Sequence, residues 1–166
     1  MTQAPSFELP NVASGPDPLS LATLAETPEF VLLLFQRDYH CGNCRKQVQV
    51  FADWYDEFRD RETEVVSIIP EPRERVAEWQ SEYELPYPLC ADPQKHVAEA
   101  YEQPVRFGIL GKVSDFFGRM PKAVVLDCRG DGEPTICYAH EGSSMWDRPE
   151  LDELFETIDS ERNLAE

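Results

Sequence analysis

The feature that most constrains this chain is a short apolar segment that leads into two closely spaced cysteines. Residues 29–36 (EFVLLLFQ) form a continuous apolar run of strand length, which is typical of a central strand covered on both faces. The motif Cys41-Gly42-Asn43-Cys44 comes next. After it, apolar residues recur with helical spacing at Val48, Phe51, Tyr55 and Phe58. The sequence therefore places a CxxC motif where a buried strand ends and an amphipathic helix begins.

The remaining apolar segments alternate between strand and helix patterns, which predicts an α/β fold with right-handed crossovers and a largely parallel sheet. Trp54 and Trp79 lie on apolar helix stripes and are predicted to be buried. The other predicted elements are a short strand at 6–12, a brief helix or turn at 18–27, a strand at 64–69, a helix from 70–72 through about residue 82, an extended stretch at 86–90, a helix opened by Asp92-Pro93, an irregular insertion at 105–120, a strand at 122–128 with its hairpin partner at 135–140, and a closing helix at about 148–158.

The acidic composition limits the partners that this chain can bind. With 32 acidic and 15 basic residues its formal charge is -17, which repels nucleic acid phosphates and anionic membrane surfaces. Lysine is also scarce, and this balance predicts a halophilic protein in a high-salt cytoplasm, where salt screens the self-repulsion. Binding to nucleic acid or to a membrane is not expected.

The N-terminal residues predict a cytoplasmic location. They lack the basic cluster, apolar core and small-residue cleavage site of a secretory signal, and the longest apolar run, at 30–35, is too short to span a bilayer. Reducing compartments disfavour structural disulfides, so a close pair of cysteines there is more often catalytic or metal-binding.

The position of the cysteine motif favours thiol chemistry. Unpaired N–H groups and the positive end of the helix stabilise a thiolate, so Cys41 is predicted to be an exposed nucleophile that attacks a disulfide or an oxidised thiol. Cys44, one turn later, is predicted to resolve the mixed disulfide. His40 and Arg45 add positive charge that favours an anionic sulfur, whereas Asp38 opposes it.

The order strand, CxxC, long helix, strand, helix, strand, hairpin and helix resembles the thioredoxin-like superfamily. The leading segment SFELPNV and its leucine-rich turn are similar to the peroxiredoxin-related branch, the alkyl hydroperoxide reductase and thiol-specific antioxidant family. The resemblance covers nearly the whole chain and implies one domain, 1–166, with a central mixed sheet flanked by helices. It also implies a cis Met120–Pro121 bond that faces the cysteines and shapes the substrate-contacting wall, with Arg119 beside it as a substrate-binding or tuning residue. The resemblance further implies an antioxidant or redox-maintenance role. No metal or organic cofactor is implied.

Departures from the family patterns decide which reaction is favoured. Thioredoxins carry a buried acid where this chain has Phe35, and the peroxiredoxin pattern Pro-x-x-x-Thr/Ser-x-x-Cys precedes neither Cys41 nor Cys44. The peroxiredoxin arginine before the later strand would fall at Pro121, with Arg119 merely nearby. A peroxide needs preorganised hydrogen-bond donors, and the sequence shows no such cradle. Dithiol-disulfide exchange is therefore favoured over a thiol peroxidase that reduces hydroperoxides.

A third hypothesis is a non-catalytic binding or zinc-holding module, which would need two further metal ligands. The remaining cysteines, Cys90, Cys128 and Cys137, lie in or beside apolar segments and are predicted to act as small buried hydrophobes. The expected partners are protein or small-molecule disulfides or hydroperoxides, together with a recycling reductant. The oligomeric state stays open, and the insertion at 105–120 is a candidate for substrate contact, a dimer surface or core.

Overall fold

The computed structural model describes residues 2–103, 120–142 and 147–164. Arg119 and all of the predicted insertion except Met120 lie outside these residues. The helices and strands are Thr2–Gln3 (β1), Glu8–Leu9 (β2), Leu19–Ser20 (β3), Leu21–Leu24 (α1), Phe30–Phe35 (β4), Gly42–Asp53 (α2), Tyr55–Arg59 (α3), Thr63–Ile69 (β5), Arg73–Tyr83 (α4), Leu89–Ala91 (β6), His96–Ala100 (α5), Lys122–Asp127 (β7), Thr135–Glu141 (β8) and Leu151–Leu164 (α6).

Six strands form a central mixed sheet in the order β1-β8-β7-β4-β5-β6. The three strands β4, β5 and β6 run parallel, whereas β7 and β8 form the predicted antiparallel hairpin and β7 pairs antiparallel with β4. A small second sheet pairs β2 with β3. The predicted α/β architecture, a central mixed sheet flanked by helices, is confirmed.

Strand β4 is buried on both faces, and this explains its uninterrupted apolar sequence. Its alternate residues Phe30, Leu32 and Leu34 belong to a core cluster shared with α2, α3, α4 and α6. The residues between them, Val31, Leu33 and Phe35, belong to a second cluster shared with α1 and α5. Successive side chains of a strand point to opposite faces, so only a continuous apolar run satisfies both clusters.

The helix after the cysteine motif differs from the prediction. It breaks at Trp54, which has a non-helical φ of -106° and ψ of 15°, so that α2 and α3 are separate. The Trp54 side chain is 48% exposed, and the prediction that it is buried is wrong because the break turns it away from the core. Trp79 is fully buried, as predicted.

Candidate active site

The two cysteines of the motif lie at the junction of β4 and α2, where the sequence places them. Cys41 is the N-cap residue of α2, and its Sγ accepts a hydrogen bond from the backbone N–H of Cys44 at 3.1 Å. The Cys44 Sγ accepts one from the backbone N–H of Arg37 at 3.2 Å. The two residues form a disulfide with their Cα atoms 5.2 Å apart, within the usual range for such a bond. Cys44 is fully buried and Cys41 is only 5% exposed, so the prediction of an exposed Cys41 is wrong for this disulfide form.

A guanidinium group contacts both sulfurs, and the sequence-based prediction missed it. Nη2 of Arg148 lies 3.1 Å from the Cys44 Sγ and 3.7 Å from the Cys41 Sγ. Burial, together with the nearby Arg37 cation, lowers the pKa of Arg148 to about 10. The group still carries its positive charge at neutral pH. The sequence contained one weak signal for this contact. An arginine just before the first turn of a helix interacts unfavourably with the positive end of the helix dipole, so its presence there suggests a function other than stabilising the helix.

Two side-chain amides hold this guanidinium in place. Nη1 of Arg148 donates to the Oε1 atoms of Gln47, at 2.7 Å, and of Gln36, at 3.1 Å. The Gln36 amide in turn donates to the Gln47 Oε1 at 3.0 Å. Residues from the end of β4, from α2 and from the segment before α6 thus meet at the cysteine pair.

His40 and Arg45, two cations predicted to favour a thiolate, make their described side-chain contacts with Tyr39 and with residues of α4. The exposed imidazole of His40 lies 3.5 Å from a guanidinium nitrogen of Arg75 and packs edge-on against Tyr39. Arg45 donates to the Tyr39 carbonyl and to the Tyr83 hydroxyl, each at 3.0 Å. No contact of either side chain with the sulfurs is recorded among the described residues.

Asp38, which was expected to oppose a thiolate, is buried close to a cation. Its carboxylate Oδ2 lies 3.7 Å from a guanidinium nitrogen of Arg37. Its Oδ1 accepts a hydrogen bond from the backbone N–H of His40 at 2.7 Å. The negative charge of Asp38 is therefore partly offset next to the site.

Met120 and Pro121 lie just before β7, whose Lys122 pairs with Phe35 of β4, and the prediction of a cis bond between them is wrong. Asp17–Pro18 is the only cis peptide bond in the described part of the chain. The resemblance alone implied the cis form, and an X–Pro bond otherwise prefers trans. The Gln103 side chain holds the two segments together, since its amide donates to the backbone carbonyls of Gln36 at 3.0 Å and Met120 at 2.9 Å.

The other three thiols are held in their protonated form. Burial raises the pKa of Cys90 to about 12, of Cys128 to about 11 and of Cys137 to about 12. Cys128 and Cys137 pack against different core clusters, on opposite faces of the sheet. Because the thiolate is the reactive form of cysteine, these residues are poor nucleophiles at neutral pH.

A surface cavity of about 460 Å³ opens beside the motif, between α2 and the start of α6. Lys46, Glu150 and Asp152 contribute charge to its wall, and Arg148 connects it to the sulfurs. Its other lining residues, largely apolar, are Asn43, Gln47, Val50, Phe51, Pro149 and Leu151. Neither cysteine is among the lining residues, so the cavity is connected to the sulfurs through Arg148.

The described residues show neither a metal-binding cluster nor a membrane-spanning helix. Residues 2–103, 120–142 and 147–164 contain no group of three or more His, Cys, Asp or Glu side chains placed to hold a metal ion. Nor does any helix in these segments combine the length and apolar character required to cross a bilayer.

The fold and the cysteine site define a thioredoxin-like redox protein, and comparison with known families identifies the branch. Residues 1–130 match the AhpC/TSA family, so the chain belongs to that family and is an oxidoreductase acting on thiol and disulfide groups. Arg148 lies beyond the matched residues. A comparison with curated proteins returned no match.

Solved structures support the same fold. One is the peroxidoxin BcpB of Mycobacterium tuberculosis, with 22% identity and a TM-score of 0.75 over 95% of this chain and 94% of that one. Another is a reduced 2-Cys peroxiredoxin of Plasmodium vivax, with 16% identity and a TM-score of 0.79 over 98% and 96% of the two chains. A modified Prx1a of Plasmodium yoelii, which forms an artifactual octamer, gives 18% identity and a TM-score of 0.74 over 99% and 92%. The predicted thioredoxin-like, peroxiredoxin-related fold is thereby confirmed.

Proposed function

We propose that the chain is a two-cysteine thiol peroxidase in which the CGNC pair reduces a hydroperoxide and an external dithiol reduces the resulting disulfide. The single observation that carries this proposal is the Arg148 guanidinium at 3.1 and 3.7 Å from the two sulfurs. The sequence alone favours dithiol-disulfide exchange because it shows no hydrogen-bonding cradle for a peroxide. Arg148 supplies such donors from a distant part of the chain.

The first step takes place at Cys41, which is the less buried cysteine and lies at the N-terminus of α2. The Cys41 thiolate attacks one peroxide oxygen, the O–O bond breaks, and the leaving alkoxide or hydroxide takes up a proton. Cys41 becomes a sulfenic acid. The positive guanidinium of Arg148 stabilises the thiolate beforehand and the negative charge that develops on the leaving oxygen.

The second step joins the two sulfurs. Cys44 attacks the Cys41 sulfenic acid, which releases water and forms the disulfide found in the structure. A thiol of the recycling reductant then attacks this disulfide, and a second thiol completes the exchange so that both cysteines return to the reduced form. The dithiol-disulfide exchange expected from the sequence is therefore one half of the proposed cycle.

The proposal is tested by mixing the reduced protein, in high salt, with hydrogen peroxide and separately with a protein disulfide, and by following thiol loss in a stopped-flow instrument. We expect rapid consumption of peroxide, slower reaction with the disulfide, and loss of both reactions in Cys41→Ser. Cys90→Ser serves as the matched control and should react like the wild type. Rapid disulfide exchange with peroxide left unconsumed would refute the peroxidase and leave disulfide exchange as the function.

A further inference from the structure

We propose that Gln36 and Gln47 are positioning residues whose paired amides hold Arg148 against the cysteines without themselves offsetting its positive charge. The effect of these residues on the rate constant with hydrogen peroxide rests on the proposed peroxidase function. Their effect on the ionisation of the two thiols does not depend on any substrate.

The geometry of the amide pair is fixed by the core. Gln36 is fully buried at the end of β4, where its backbone N–H donates to the Ile68 carbonyl at 2.9 Å and its carbonyl accepts from Gln103. Its side-chain amide orients that of Gln47 through the 3.0 Å hydrogen bond between them. Both Oε1 atoms then accept from the same nitrogen of Arg148, which directs Nη2 towards the sulfurs.

The chemical nature of the acceptors matters as much as their position. A carboxylate is the common partner of a buried guanidinium and forms a stronger hydrogen bond with it. A carboxylate here would also offset the positive charge and add a negative charge near the cysteines, which disfavours a thiolate. An amide accepts the same hydrogen bond without either effect. Gln47 and Gln36 therefore orient the guanidinium without themselves reducing the positive charge that acts on the sulfurs.

The charged side chains around the cysteine pair come from three parts of the described fold. Arg148 precedes α6, Arg37 and Asp38 follow β4, and Lys46 on α2 lines the cavity together with Glu150 and Asp152, which follow Arg148. His40 and Arg45 turn towards α4. These groups are the same in any variant of position 47, so a change in thiol ionisation in Gln47→Glu reports on the exchange of the amide for a carboxylate.

The test compares Gln47→Glu with Gln49→Glu. Both substitutions add one negative charge to α2, but Gln49 is exposed and its amide donates to the Arg45 carbonyl rather than to the site. The thiolate absorbance of the reduced proteins is measured against pH. We expect Gln47→Glu to raise the pKa of the first thiol to ionise by about 1 to 3 units and Gln49→Glu to leave it unchanged.

Kinetics supply the second readout. The rate constant of Gln47→Glu with hydrogen peroxide should fall at neutral pH in proportion to the lost thiolate and recover at alkaline pH. Gln47→Ala, which removes the 2.7 Å contact, should react slowly across the whole pH range because Arg148 is no longer held.

Each failure has a distinct meaning. An unchanged thiol pKa in Gln47→Glu, or an equal rise in Gln49→Glu, would overturn the inference even if the wild type reduces peroxide. Failure of the wild type to consume peroxide would refute the proposed function, while the pH titration would still decide the role of Gln47.

Discussion

At the scale of single residues, the two cysteines of the motif have different environments despite their close spacing. Cys41 caps α2 and keeps slight exposure, whereas Cys44 is fully buried and accepts a hydrogen bond from the backbone of Arg37. A substrate approaching from outside therefore meets the Cys41 sulfur first. This asymmetry supports Cys41 as the attacking residue and Cys44 as the resolving residue.

The assignment of roles predicts which sulfur is oxidised when the partner cysteine is absent. Cys44→Ser should accumulate a sulfenic acid at Cys41 after addition of peroxide, because no second thiol can displace it. Mass spectrometry with a dione probe for sulfenic acids locates the oxidised residue. Labelling of Cys44 in Cys41→Ser, with none at Cys41 in Cys44→Ser, would show that the roles are reversed.

At the scale of elements, the return of the chain from β8 to α6 brings Arg148 to the cysteines. Gly142, just after β8, donates its backbone N–H to the Pro121 carbonyl at 2.9 Å. His140 and Asp147 are joined by a 2.9 Å contact between imidazole and carboxylate. These contacts connect the end of β8 both to the start of β7 and to the segment that carries Arg148.

Gly142→Ala should disturb this return. A Cβ at Gly142 would lie 2.8 Å from the Pro121 ring and 2.9 Å from the backbone oxygens of Pro121 and Asp147. We expect a loss of about 1 to 3 kcal/mol in unfolding free energy and slower reaction with peroxide, measured by denaturant titration and stopped-flow kinetics. Gly132→Ala meets no atom within 4 Å and should match the wild type. Equal stability of the two variants would contradict the packing described.

The helices and strands show which parts of this structure can be predicted from the sequence alone. The β4 strand and the CxxC junction were predictable because burial on both faces leaves a continuous apolar run. Trp54 was misplaced because its helical spacing does not reveal the break between α2 and α3. Arg148 was missed because its contact with the sulfurs depends on where the chain returns after β8, which no local pattern encodes.

At the scale of the whole molecule, the dominant feature is the formal charge of -17. Several arginines are engaged in ion pairs, including Arg61 with Asp159 and Arg129 with Asp127, but acidic residues outnumber basic ones by 32 to 15. Repulsion among the excess carboxylates opposes the compact state. Dissolved salt weakens this repulsion because the Debye length falls to about 3 Å at 1 M.

The thermal unfolding temperature should therefore rise as salt concentration increases from dilute buffer towards molar levels. Differential scanning calorimetry in sodium chloride and in potassium chloride measures this dependence, and similar slopes in the two salts are expected if general screening is responsible. An unfolding temperature that stays constant or falls with salt would contradict the halophilic character that we propose from composition.

The central claim is that Arg148 makes the CGNC pair reactive towards peroxide. Its most direct test is the second-order rate constant for hydrogen peroxide in wild type and Arg148→Ala, measured at a pH where the attacking thiol is fully ionised in both. We predict a loss of about 10²- to 10³-fold, whereas Arg75→Ala, which removes a guanidinium on the α4 side, should keep the wild-type rate constant. Equal rate constants for wild type and Arg148→Ala would contradict the claim.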